Sequence, residues 1–165
     1  MPAPAQVTLP SDTEVRVTRQ FNAPRRLVYD AHAKPELFQQ WIGGYPGWTM
    51  PVCEMDVREG GKYRWRWRNE DGKEFGFFGE FTEVTPATRI VAREYYDPGN
   101  MGGSMTTDPT VVASDFAEAD GVTTLTVTIA YVSKEARDGA VATGMTDGME
   151  VSYARLDDLA ARQAA

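Results

Sequence analysis

The chain has 165 residues, a formal net charge of −7, and 42% apolar and 25% charged residues. That size predicts one domain with one core. No run approaches the roughly 18 apolar residues of a membrane helix, and the acidic balance argues against a nucleic-acid partner, which calls for a net basic footprint. Cys53 is the only cysteine and His32 the only histidine. An internal disulfide is therefore excluded, a zinc site of the His/Cys type is not expected, and a reducing cytoplasm fits. The start, MPAPAQVTLPSD, lacks the basic residues and apolar core of a signal peptide. Residues 1–12 read as a flexible tail ahead of a single domain over 13–165.

Thr13–Phe21 alternates Val15, Val17 and Phe21 with polar residues, the pattern of a half-buried strand. Pro24 suits the first turn of a helix carrying Leu27, Val28 and Ala31, and Pro35 opens a second short helix through about Trp41. Six strands are predicted next: Met50–Val57, then KYRWRWR, EFGFFGEFTEV, IVAREYY, TVVASDFAE and VTTLTVTIAY. Asp71-Gly72 marks the tightest hairpin turn. Short connections make these strands an antiparallel meander with one face covered and one wet. Ser133 is a candidate N-cap for one long helix, about Lys134 to Gln163, which supplies the cover.

The KYRWRWR strand alternates cations with rings. Its two-residue period sends Tyr63, Trp65 and Trp67 to the inner face and Lys62, Arg64, Arg66 and Arg68 to the outer one, beside acids such as Glu74, Glu80 or Glu83. Single-stranded nucleic acid wants both on one face. The inner face also collects Phe75, Phe77, Phe81 and Tyr95, a bulky set for a thin layer under one helix. The helix stripe facing it runs Val141, Met145, Gly148 with Met149, Ser152, Leu156 and Leu159. Its first half is small or flexible, which leaves room for a cavity there.

The segments FNAPRRLVYDAHAKPELFQQW, EMDVREGGKYRWRW, GEFTEVTPATRIV, GVTTLTVTIAYVSKEARDG and GMTDGMEVSYARLDDLA, in this order, cover most of Phe21 to Ala160. Together they resemble the START-like, birch-pollen-allergen-like superfamily, and within it the bacterial family named after the activator of the heat-shock protein 90 ATPase. The resemblance implies an α+β helix-grip fold: a curved antiparallel sheet, built as strand, two short helices and six strands, wrapped around a long C-terminal helix. The co-chaperone that names the family carries a separate N-terminal domain for which this chain has no room. Where the family often has tryptophan after the second glycine of GM..G, this chain has Met149, which implies a softer or larger pocket.

Of the isolated polar residues, His32 reads as a packed or surface histidine and Cys53 as a small buried hydrophobe, and either Glu80 or Glu94 is placed mid-strand to enter the cavity. A carboxylate there would have a raised pKa and the capacity to act as acid or base. No catalytic set, metal cluster, phosphate loop or cofactor motif stands out. The leading expectation is a cytoplasmic protein, monomer or weak homodimer, that binds a small hydrophobic or amphipathic molecule, a lipid among the candidates. The expected walls are Trp41, Trp48, Trp65, Trp67, Phe77, Tyr95, Met145, Gly148, Met149 and Ser152. The alternatives are a chaperone cofactor or stress-response regulator acting by protein contact, and a cyclase- or hydratase-type enzyme using a pocket carboxylate or tyrosine. Asp97–Pro109, with Met101 and Met105, is a thirteen-residue stretch without periodicity, expected at the cavity mouth.

Overall fold

Alternation of apolar and polar side chains builds the sheet, and the computed structural model describes it over residues 2–43, 46–103 and 108–164. Its elements are β1 (Gln6–Ser11), β2 (Glu14–Phe21), α1 (Arg25–Ala33), α2 (Pro35–Phe38), β3 (Trp48–Met55), β4 (Lys62–Asn69), β5 (Glu74–Thr85), β6 (Arg89–Asp97), β7 (Thr110–Ala119), β8 (Val122–Ala130), α3 (Lys134–Ala142) and α4 (Met145–Ala164). Among the described residues eight strands form one antiparallel sheet in the order β1-β2-β8-β7-β6-β5-β4-β3. The expected meander is β3 to β8, and β2 closes onto β8 with Val17 opposite Val127. This is the helix-grip arrangement, α+β, with α4 across the inner face. No described helix is long and apolar enough to cross a membrane.

Two expectations change. Residues 6–11 are a strand where a flexible tail was expected. Val7 and Leu9 are exposed, so no buried stripe announces it. Backbone pairing with β2 holds it, and the Ala5 amide donates to Glu150 Oε1 at 2.8 Å. The single terminal helix is two helices. Gly144 has φ +81, the left-handed conformation that ends helices. Its amide donates to the Val141 carbonyl at 3.2 Å, closing α3, while its own carbonyl accepts from Asp147 and Gly148, opening α4. Ser133 caps α3 as expected, accepting from the Ala136 amide at 3.0 Å.

The core lies under the second half of α4. Leu156 and Leu159 are buried against Val15, Val17, Phe21 and Val28. Within the inward set of β2 stands Arg19, 3% exposed. Its guanidinium donates to both oxygens of Glu150 at 3.1 Å, and to Asp157 Oδ1 at 3.0 Å and Oδ2 at 2.8 Å. It also donates to the Gln20 carbonyl at 2.9 Å. Burial disfavours the charged guanidinium, but the hydrogen bonds and charges of Glu150 and Asp157 more than offset that, and its pKa is raised. Glu150 and Asp157 are seven residues apart on α4, on one face of the helix.

Removing one partner of such a cluster strands the others. Arg19→Met should therefore cost about 3 kcal/mol, at the low end for buried pairs because the two carboxylates keep some contact with water. Urea denaturation reads this directly. A loss under about 1 kcal/mol, the range of surface pairs, would contradict the assignment.

Candidate ligand cavity

Between α4 and the inner face of the sheet lies a cavity of about 570 Å³, within the usual range of small-molecule sites. Strand parity supplies one wall. Trp65 and Trp67 of β4, Phe75 and Phe77 of β5, and Val127 and Ile129 of β8 all point inward. The opposite wall is Met145, Gly148, Met149, Ser152 and Tyr153 of α4. Trp41 closes one end. Its ring is 2% exposed, its Nε1–H donates to the Ala31 carbonyl at 2.9 Å, and it stacks on Tyr153 with centroids 6.1 Å apart. Ser152 accepts from the Gly43 amide at 3.2 Å and so ties the segment after α2 to α4.

Nine of the ten residues expected at the wall do line this cavity: Trp41, Trp48, Trp65, Trp67, Phe77, Met145, Gly148, Met149 and Ser152. Tyr95 does not. It stacks on Phe78 on the outer face, with centroids 5.2 Å apart. The cause is a bulge in β5, where the pairing with β6 shifts between Phe81 and Glu83. Phe81 lies opposite Ala92, but Glu83 lies opposite Val91, and one extra residue reverses the face of everything beyond it. Counted from the turn without the bulge, Tyr95 would face inward. With it, Glu94 and Tyr96 do. The outer cations are paired as alternation implies: Arg66 with Glu74 and Asp97, and Arg68 with Glu74.

Glu94 is thus the mid-strand carboxylate that enters the cavity, while Glu80 is exposed on the outer face. Tyr63, Gly79 and Glu94 sit side by side on β4, β5 and β6. Gly79 has no side chain, and Tyr63 reaches across it to donate to Glu94 Oε1 at 3.0 Å. A methyl group at position 79 would collide with the Arg93 carbonyl and lie 2.8 Å from Tyr63 Oη. Burial pushes the Glu94 carboxyl up to about 7, with the Tyr63 hydrogen bond opposing. Glu94, Phe77, Ile129 and Met145 also line a second cavity of about 620 Å³, which runs toward α3 and the start of β7.

His32 lines the first cavity as well, packed against Trp41 and Phe116. Its Nδ1 lies 2.8 Å from the Val28 carbonyl, so Nδ1 carries the proton and Nε2 is the acceptor. Burial lowers its pKa to about 4. Among the described residues, two buried donors have no acceptor: the indole N–H groups of Trp65 and Trp67. Cys53 is part-buried, and burial pushes its thiol up to about 11, the state of an inert side chain. Among the described residues no group of three or more His, Cys, Asp or Glu is placed to hold a metal ion. In the stretch after β6, Asn100 ties the chain to the β4–β5 turn through the Glu74 amide and the Gly72 carbonyl, and Met101 is exposed. Met105 lies outside the described residues.

The chain belongs to the family described as Activator of Hsp90 ATPase homolog 1-like protein, which matches residues 22–161. No curated protein matches it. Among solved structures, a protein from Rhodobacter sphaeroides shares 27% identity over 96% of this chain and 98% of its own, with a TM-score of 0.85. A protein from Mycobacterium smegmatis is 23% identical over 94% and 96%, with a TM-score of 0.82. The AHSA1-like protein from Aeromonas hydrophila is 19% identical over 84% and 90%, with a TM-score of 0.62. These likenesses agree on the START-like fold.

The two titrating groups of the cavity affect stability in opposite directions. Glu94 rises from its ordinary 4.5 to about 7 on folding, so between those values the folded chain holds a proton the unfolded chain has lost. Stability from this group falls as pH rises through that window. His32 drops from 6.5 to about 4, and its contribution rises with pH between those values. Glu94→Gln removes only the first trend. The variant should gain stability from about pH 5 to 7, where the parent stays flatter, and exceed the parent above pH 7 by on the order of 3 kcal/mol. Urea midpoints across that range measure it, and parallel pH profiles for the two proteins would contradict the account.

Proposed function

We propose that the protein binds a small hydrophobic or amphipathic molecule between the sheet and α4. The observation that carries this reading is the aromatic-walled cavity of about 570 Å³ between the sheet and α4. Packed interiors hold few voids larger than a water molecule, whereas a space of this size lies in the range of small-molecule sites. The space therefore suits an occupant. Met145 and Met149 adapt to its shape, and Trp41, Trp48, Trp65, Trp67 and Phe77 give it apolar surface. The lone cysteine fits a cytoplasmic setting.

Glu94 supports a second reading, acid–base chemistry on the bound molecule. A carboxyl that titrates near neutrality beside a tyrosine hydroxyl has the properties of a general acid or base.

Native mass spectrometry of the freshly purified protein tests the binding reading. A retained small molecule, released on denaturation, is the expected result. A co-purifying chaperone with no small molecule would favour protein contact as the function and count against the cavity. Conversion of the retained molecule on incubation, abolished in Glu94→Gln, would favour the enzymatic reading.

A further inference from the structure

The polar groups around Glu94 narrow the chemistry of the occupant. Tyr63 occupies Glu94 Oε1 at 3.0 Å, and among the described residues nothing donates to Oε2. The carboxyl stands where the two cavities meet, and among the described residues no lysine or arginine lines either. An anionic head group would find no countercharge there. A positive one would find a carboxylate and, beside it, the ring of Phe77, with Trp65 and Trp67 further along the same wall. Aromatic faces attract cations most strongly where water is excluded. A buried carboxylate without a cationic partner is costly to ionise, and a cation in the cavity would supply that partner.

We infer that the cavity takes an amphipathic amine, its ammonium on Glu94 and its apolar body along the Trp65, Trp67 and Phe77 wall. This rests on the ligand-binding reading above and names the ligand class. Binding is then coupled to a proton. Glu94 has to be ionised to hold an ammonium, so affinity rises with pH through about 7. The other titratable groups near the carboxyl do not compete in that range. Tyr63 and Tyr131 have their hydroxyl pKa raised by burial and by the Glu94 charge, and burial likewise raises Tyr96. His32 stays neutral above about 4. Asp108, on the second cavity, adds a carboxyl and no positive charge.

Three probes of one chain length test this: octylamine, octanol and octanoate, titrated into the full-length protein and followed by intrinsic tryptophan fluorescence. Near pH 8.5, where an alkylammonium is still charged, octylamine should bind about tenfold or more tighter than octanol, and octanoate weakest of the three. Octylamine affinity should fall about tenfold toward pH 6 as Glu94 takes up its proton. Glu94→Gln keeps an acceptor for Tyr63, so octanol binding should persist and serve as the check on folding. In that variant octylamine should fall to the level of octanol and lose its pH dependence. Octanoate binding as tightly as octylamine near pH 8.5, or octylamine binding unchanged in Glu94→Gln, would overturn the assignment of an amine while leaving the binding reading in place. Failure of all three probes to bind the parent protein would remove both.

Discussion

The buried guanidinium of Arg19 is the contact on which the geometry of the cavity depends. It stands in the inward row of β2, among Val15, Val17 and Phe21, where a charge is affordable only if fully bonded. Glu150 and Asp157 reach it from positions about two turns apart on one face of α4. The helix is thereby fixed in both position and rotation over β2, and Leu156 and Leu159 follow into the core. Rotating α4 to fill the cavity would break that cluster. The first turns of the helix, with Met145, Gly148 and Met149, are held over β4, β5 and β6 with space beneath them.

The second constraint is the register of β5 against β6. One extra residue between Phe81 and Glu83 decides whether a tyrosine or a carboxylate faces the interior. With Glu94 inward, the missing side chain at Gly79 lets Tyr63 cross and donate to it. The mostly apolar first cavity thus receives one hydrogen-bonded carboxyl, at its junction with the second. That placement, more than the fold, gives the site its chemical character.

Much of this was legible in the residues. The alternation of KYRWRWR separated rings from cations, and the helix stripe from Met145 to Ser152 marked where space would lie. Arg19 was readable too, since a two-residue period from Val15 and Val17 to Phe21 carries it inward, but an arginine in that row looks like an outlier until its partners on α4 are known. The face of Glu94 was not readable, because a bulge leaves no periodic trace in a strand as rich in rings and glycines as β5. Nor was β1, whose exposed side chains carry no burial pattern and whose stability lies in backbone pairing. Gly144 was visible as a glycine, but the same residue serves either close packing inside a helix or a left-handed break, and only its φ of +81 decides.

The central claim is that a small molecule lodges between α4 and the sheet. The most direct measurement is methyl NMR of protein labelled at its methionines, titrated with a small amphiphile. The account predicts large shifts at Met145 and Met149, which line the cavity, with Met101, exposed on the surface, unmoved. Saturable binding that leaves Met145 and Met149 unchanged would contradict it.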